Sequence, residues 1–320
     1  ATGIDIKALS ASQPYIYIAI RRPMKTPTAG TEVFAMATGT TSIPNWISNF
    51  VTDFVWYKDI DSVYSNYWQS RLTGSTWLKT DSTDAQSSGS EAVWDFMNGF
   101  GAWSTVNNVE AWMFKRATGF MDVVAYTGTG TNTTINHNLG VAPELMIVKR
   151  RDLSRAWAVW ASGIDIDDYL TLNGSGGVAT FALWQSTLPT ATQITLGTDA
   201  SVNGSANTYI AYLFASVAGV SKVGSYTGNA GYAVNVDCGF SAGARFILIK
   251  RTDSTGDWYV YDSVRGISAG NDPYLLLNTT AAQVTNTDYV DPLASGFTVT
   301  SSAPAALNAS GGTYIFLAIA

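Results

Sequence analysis

The chain offers little to metal or histidine chemistry. It holds one histidine, His137, and one cysteine, Cys238, too few for a zinc cluster, which draws on several such ligands. His137 lies in Ile135-Asn-His-Asn-Leu139, a strand leading into a turn, and reads as structural. Cys238 follows Val234-Asn-Val-Asp237 and reads as an inert, at least partly buried thiol without a disulfide partner. Carboxylates are the stronger candidates, because glycan cleavage needs only two of them. Asp165, Asp167 and Asp168 cluster in Gly163-Ile-Asp-Ile-Asp-Asp-Tyr169, and Asp59 and Asp61 stand earlier. Asp165 and Asp167 are two apart, so on a strand they share a face and could hold Ca²⁺ through oxygen ligands. The matching stretch farther on, Ser263 to Asp272, lacks the cluster, which favours a solvated loop; no metal, cofactor or catalytic residue is expected. Tyr64 and Tyr67 are the rings best suited to stack on a sugar, since they have no counterpart elsewhere in the chain. The run Asp253-Ser-Thr-Gly256 has the letters of an aspartic-protease phrase, but it corresponds to Asp152-Leu-Ser-Arg155, and a turn explains both.

The surrounding composition is that of strands and tight turns. Of 320 residues, charged ones make up 13%, about half of the ~25% usual in soluble domains. Four are glutamates: Glu32, Glu91, Glu110 and Glu144. Thr, Ser, Asn, Gly, Val, Ile, Tyr and Trp take the place of helix formers, which excludes a mainly helical protein. There is no apolar run of about 18 residues, hence no transmembrane helix. The net charge of −6 is a poor match for nucleic acid or anionic lipid. The start at Ala1 lacks the order of a signal peptide and reads as a processed or excised portion of something longer.

One unit occurs three times. Leu145-Met-Ile-Val-Lys-Arg-Arg-Asp152 returns as Phe246-Ile-Leu-Ile-Lys-Arg-Thr-Asp253, and more weakly as Phe54-Val-Trp-Tyr-Lys-Asp59. Trp157-Ala-Val-Trp160 matches Trp258-Tyr-Val-Tyr261, with Trp68 aligned to Trp160 and Tyr261 as the aromatic two residues before a serine. Trp77-Leu-Lys-Thr-Asp81, Tyr169-Leu-Thr-Leu-Asn173 and Tyr274-Leu-Leu-Leu-Asn278 correspond. The units close on Ala111-Trp-Met-Phe114, Tyr209 to Phe214 and Tyr314 to Ile319, and the last two open on Tyr126-Thr-Gly128 and Tyr226-Thr-Gly228. A spacing of roughly 90–105 residues is that of compact β-domains rather than solenoid rungs.

The expected fold is all-β: three homologous antiparallel β-sandwich (jelly-roll-like) domains in tandem, standing in a row with little helix. Residues 31–120 form a divergent first repeat, 121–220 the second and 221–320 the third. Residues 1–30 hold a closing strand at Tyr15 to Ile20, from an upstream or swapped repeat, and a linker with Pro23 and Pro27.

The phrases Tyr126-Thr-Gly128, Ile135 to Asp152, Tyr274 to Ala282 and Asn308 to Ala320, with Tyr15 to Phe34 as a bridge, resemble a repeat module of tail-fibre and related virion proteins of tailed phages. The resemblance spans essentially the whole chain. It implies a virion component, extracellular in the particle and assembled in the host cytoplasm, that contributes to adsorption, with other virion proteins and a bacterial surface glycan as partners. A homo-oligomer, a trimer by analogy with phage fibres, is expected from the same source. The family pattern brings no catalytic residues. The first copy departs from it, lacking the Tyr-Thr-Gly opening and carrying Lys58-Asp59 where the others have Lys-Arg-x-Asp. The alternatives are a polysaccharide-degrading fibre enzyme and a cellular surface adhesin.

Residues shared by the copies maintain the sandwich, so specificity should lie in the connections where they differ. These are Ile60 to Tyr67, Leu153 to Ala156 and Ser254 to Asp257, and, after the matched serine, Gly163 to Asp168 and Val264 to Pro273. The candidate ligand-binding residues are Tyr64, Tyr67, Arg155, Asp165, Asp167, Asp168 and Arg265. A spacer without a binding site is the competing expectation.

Overall fold

A computed structural model describes residues 24–89, 92–101 and 108–320. The strand expected at Tyr15 to Ile20 lies outside the described residues. The β-branched and aromatic runs form strands, and their Gly, Asn and Asp borders form the turns. Unit one contains β1 (Phe34–Thr38), β2 (Trp46–Ile47), β3 (Phe54–Asp59), β4 (Tyr67–Ser70), β5 (Thr76–Lys79), β6 (Ser87–Ser88), β7 (Gly99–Phe100) and β8 (Val109–Phe114). Unit two contains β9 (Met121–Thr127), β10 (Thr133–Asn136), β11 (Leu145–Arg150), β12 (Ala158–Ala161), β13 (Asp168–Thr171), β14 (Ala179–Thr180), β15 (Gln193–Leu196) and β16 (Thr208–Phe214). Unit three contains β17 (Ser221–Thr227), β18 (Val234–Asp237), β19 (Phe246–Arg251), β20 (Trp258–Asp262), β21 (Leu275–Leu276), β22 (Val290–Leu293), β23 (Gly296–Val299), a short helix α1 (Ala305–Asn308) and β24 (Thr313–Ile319).

The units share one topology. Their large sheets run β1-β8-β3-β4-β5-β6, β9-β16-β11-β12-β13-β14 and β17-β24-β19-β20-β21. The small sheets are β2-β7, β10-β15 and β18-β23-β22. All named pairings are antiparallel. The fold is therefore all-β, built of antiparallel sandwiches.

One face of each large sheet packs on its own small sheet. Val55 and Met113 meet Trp46 and Phe100 in unit one; Met146 and Trp160 meet Ile194 and Leu196 in unit two; Ile249 and Tyr261 meet Phe297 and Val299 in unit three. The opposite faces enter a single cluster, in which Phe54, Trp68 and Trp112 join Ile147, Trp157 and Tyr212 and also Leu248, Trp258 and Leu317. This double burial is why β11 opens on four consecutive apolar residues, Leu145 to Val148, and is buried at every position; a continuous apolar run marks a strand covered on both faces.

The expected row of domains is thereby corrected. In a row the first and third units would not touch, but the rings of Phe34 and Phe246 lie 5.2 Å apart, as Phe54 and Tyr212 do at 4.7 Å between units one and two. Each large sheet has a second apolar face, and an apolar face must be covered. Three such sheets cover one another by closing into a cycle.

The Tyr-Thr-Gly openings are also explained. Tyr126 and Tyr226 stack on Tyr209 and Tyr314 at 5.2 and 4.7 Å and donate their hydroxyls to Val202 O and Leu307 O, each at 2.7 Å. A Cβ on Gly128 or Gly228 would lie 2.3 Å from Gly204 O or Ala309 O, so only glycine fits. Asn203 and Asn308 are buried, and their Oδ1 atoms accept the N–H of Thr129 and Asn229 at 2.7 Å, locking each opening to its unit.

One sequence match is off by a residue. Register pairs Trp56 with Trp68, Ile147 with Val159, and Leu248 with Val260. Trp68 therefore corresponds to Val159 and Val260, not to Trp160 and Tyr261. A one-residue slip moves a side chain to the other face of a sheet: Trp68 faces the shared cluster, whereas Trp160 and Tyr261 face their own small sheets.

Candidate functional site

The candidate ligand residues fall at two ends of the large sheets. Tyr64 and Arg155 belong to connections that follow β3 and β11, and Tyr67, expected in the first of these, opens β4; Asp165, Asp167 and Arg265 lie in connections that follow β12 and β20, and Asp168 opens β13. The strands separate the two groups, so they do not form one surface.

Tyr64 is 52% exposed, and its ring lies 5.6 Å from that of Tyr67. Tyr67 in turn stacks on Tyr57 at 5.4 Å and meets Trp77 edge-on at 6.4 Å. Burial, and then the neighbouring Tyr64, push the Tyr67 phenol up to about 12. Tyr64 is thus the free end of an aromatic row that is otherwise packed. Arg155 is exposed in unit two.

The aspartates hold their own loop. Asp165 Oδ1 accepts the N–H of Asp167 at 2.9 Å, Asp167 Oδ1 accepts Ser186 Oγ at 2.6 Å, and Asp168 Oδ1 accepts Thr180 Oγ1 at 2.6 Å. Among the described residues no group of three or more His, Cys, Asp or Glu is placed to hold a metal.

Arg265 requires a correction, because it is not available to a ligand. Its side chain is 3% exposed and pairs with the buried Asp262 at 2.6 Å. Asp262 also accepts the indole N–H of Trp112 at 3.2 Å, and the guanidinium lies over the Trp112 ring. This cluster joins unit three to unit one. Sequence position alone placed Arg265 on a variable loop; the loop turns it inward.

The residues that sequence reasoning missed are three lysines. Lys58, Lys149 and Lys250 occupy one equivalent position, are fully buried, and each reaches a backbone carbonyl of another unit. Lys149 Nζ donates to Thr83 O at 3.2 Å, Lys250 Nζ to Ser175 O at 3.1 Å, and Lys58 Nζ to Thr280 O at 3.3 Å. The same three carbonyls accept the backbone N–H of Arg155, Gly256 and Tyr64 at 2.9 Å each. A return bond completes each joint: Gln86 N to Arg151 O, Val178 N to Thr252 O, and Gln283 N to Ile60 O. Unit two thus grips unit one, three grips two, and one grips three. Burial pushes all three ammonium groups down to about 8. The recurrence of lysine at one strand position was visible in the sequence; its acceptors, being backbone, were not.

His137 is buried. Its Nδ1 accepts Leu139 N at 3.2 Å, which leaves the proton on Nε2 to donate to Thr190 O at 3.1 Å. Burial lowers its pKa. Both ring nitrogens serve the turn.

The geometry defines an all-β protein of three interlocked sandwich units with loop-bearing ends. Residues 108–320 match the model of a family described as a domain of unknown function, DUF7483, and the chain belongs to that family. The matched segment takes in β8, the closing strand of unit one, and the whole of units two and three. No curated protein matches the chain in a sequence search.

Proposed function

We propose that the chain is a structural module of a tailed-phage virion, tail-fibre-like, that supports or presents a surface for a host glycan and performs no catalysis. The observation that carries this reading is the cyclic set of three joints. Each is built from a recurring lysine and backbone groups, so the connections at the sheet ends can vary in side chain without loosening the scaffold. Scaffolds of this kind recruit such connections for recognition. The resemblance of the repeat phrases to virion-appendage modules supplies the setting: other virion proteins as neighbours, a homo-oligomeric assembly, and exposure on the particle. In this reading Tyr64 and Arg155 are displayed and the lysines are structural. The test is proteomic analysis and immunogold labelling of purified particles, which should place the chain on the tail appendage. Its recovery on cell envelopes and not on particles would overturn the reading, as would loss of polysaccharide viscosity on incubation with the purified protein.

A further inference from the structure

Unit two contains a cleft, and the register explains its origin. Ala158 pairs with Thr171 across β12 and β13; the equivalent pairs are Tyr67 with Lys79 and Tyr259 with Leu276. Where unit two has alanine, the other two carry tyrosine, so Tyr67, expected from the repeat phrases to be unmatched, has Tyr259 as its counterpart. In unit three the Tyr259 ring packs on Tyr274 at 5.0 Å, and in unit one Tyr67 meets Trp77 at 6.4 Å. Tyr169 is the counterpart of Tyr274 and Trp77. In unit two the ring is missing, and a cleft of about 170 Å³ lies there, lined by Ala158, Tyr169, Thr171, Phe181, Asp199 and Ser201 among others.

We propose that this cleft binds one ring of a neutral sugar. The volume is below the roughly 300–1,000 Å³ of pockets that take drug-sized ligands, and it lies where a single six-membered ring sits in the sister units. Tyr169 and Phe181 supply apolar surface for the C–H face of a sugar, and Phe181 is 54% exposed. Thr171, Ser201 and Asp199 supply hydroxyl and carboxylate groups, which an aromatic ligand would leave unpaired but a polyhydroxylated ring would satisfy. A carboxylate in the wall receives sugar hydroxyls through charge-assisted bonds and repels uronates and sialates, as does the net charge of −6. The walls are set beforehand. Phe181 N donates to Asp167 O at 2.8 Å, Gly197 N to Leu183 O at 2.7 Å, and Ser201 N to Asp199 Oδ1 at 2.7 Å. A preformed site spends less of its binding energy on ordering.

This site gives the glycan-facing surface proposed above a place and a ligand class, and to that extent rests on that reading. Its test uses purified protein and free sugars, so failure here leaves the virion assignment to its own particle experiment. Saturation-transfer NMR on the full chain would be run with methyl glucoside, methyl galactoside, methyl mannoside, glucuronate and p-cresol. At least one neutral glycoside should give a signal at millimolar concentration. Ala158→Tyr, which installs the sister units' ring, should abolish that signal with melting unchanged. Asp199→Asn should weaken binding at least about tenfold, the loss of one charge-assisted bond. Should Ala158→Tyr fail to fold, Asp199→Asn and Ser201→Ala carry the comparison. The proposal is overturned if no neutral glycoside gives a signal, if glucuronate or p-cresol binds in preference to them, or if the folded variants bind as the parent does.

Discussion

The indole N–H of Trp56 donates to Asn66 Oδ1 at 3.2 Å, and these two residues together stand in for one tryptophan. In units two and three Trp157 and Trp258 donate Nε1 to Lys79 O and Thr171 O of the unit they grip, each at 3.0 Å. Their backbone N–H groups donate to Asn173 and Asn278. Asn66 makes the matching backbone bond to Asp81 Oδ1 at 2.8 Å, so it occupies the same place, and its Nδ2 donates to Leu276 O at 3.3 Å and Thr279 O at 2.8 Å. The polar half of the joint survives, but the volume does not. Trp56, standing where the others have Ile147 and Leu248, supplies it from the next strand and stacks on Trp112 at 3.8 Å.

The exchange should behave as a coupled pair. Trp56→Leu should cost about 2–4 kcal/mol as a large-to-small core change, and Asn66→Trp about 1–3 kcal/mol through overpacking. The double variant, which restores the arrangement of units two and three, should be more stable than the sum of the two predicts. Denaturant titration of all four proteins measures the coupling; strict additivity would contradict the exchange.

The joint lysines should give stability an alkaline dependence. Burial lowers each folded pKa to about 8 from 10.5, so between those values the unfolded chain binds more protons and their contribution to stability rises with pH. Below about pH 8 both states are protonated and the contribution is flat. Above about pH 10 the buried tyrosines, whose pKa values burial raises, oppose it. Lys149→Met should cost less than about 2 kcal/mol at pH 7, because each acceptor carbonyl loses one bond while a buried charge is removed. Its melting temperature should fall progressively further behind the parent's from pH 8 to 10. Parallel melting curves would count against the buried ammonium.

Arginine replacements should separate the scaffold from the display. Arg265→Ala leaves Asp262 buried without its cation and should cost about 3–5 kcal/mol. Arg155→Ala and Tyr64→Ala alter exposed side chains and should stay within about ±0.5 kcal/mol. Thermal melting of the three variants is the check; equal effects would mean that the Asp262 cluster contributes nothing particular.

Cys238 should be unreactive in the native protein. Burial, reinforced by Asp237, pushes its thiol up to about 12, so thiolate is scarce at neutral pH. Dithiobis-nitrobenzoate should react slowly with the folded chain and rapidly in denaturant. Fast labelling of the native protein would contradict the buried position.

What the sequence disclosed was the periodic part. Apolar runs ending in Lys-Arg-x-Asp, the Tyr-Thr-Gly openings and the closing strands all fell where the repeats placed them, because strand and turn preferences are local. The cyclic packing was hidden, because Thr83, Ser175 and Thr280 act through backbone oxygens that any residue carries. The alignment of Trp68 failed because a serine two residues away is a weaker marker than strand register. Tyr64 and Arg155 were placed correctly on exposed connections, whereas Arg265 was not: nothing local announces that a loop arginine folds back on an aspartate three residues before it. The cleft escaped notice because its signal is a small residue, Ala158, opposite two large ones.

The closed set of joints bears on how the protein is made. Asn66 waits for Leu276, 210 residues later, and synthesis delivers the N-terminal unit first. Until unit three emerges from the ribosome, Phe54, Trp56, Trp68 and Trp112 have only part of their final cover, and the grip of unit one has nothing to hold. Pairings this distant in sequence form slowly, and half-covered apolar sheets in the meantime are prone to associate with other chains. A premature stop after unit two would therefore do more than remove unit three: it would leave the inner faces of the two remaining large sheets only partly covered.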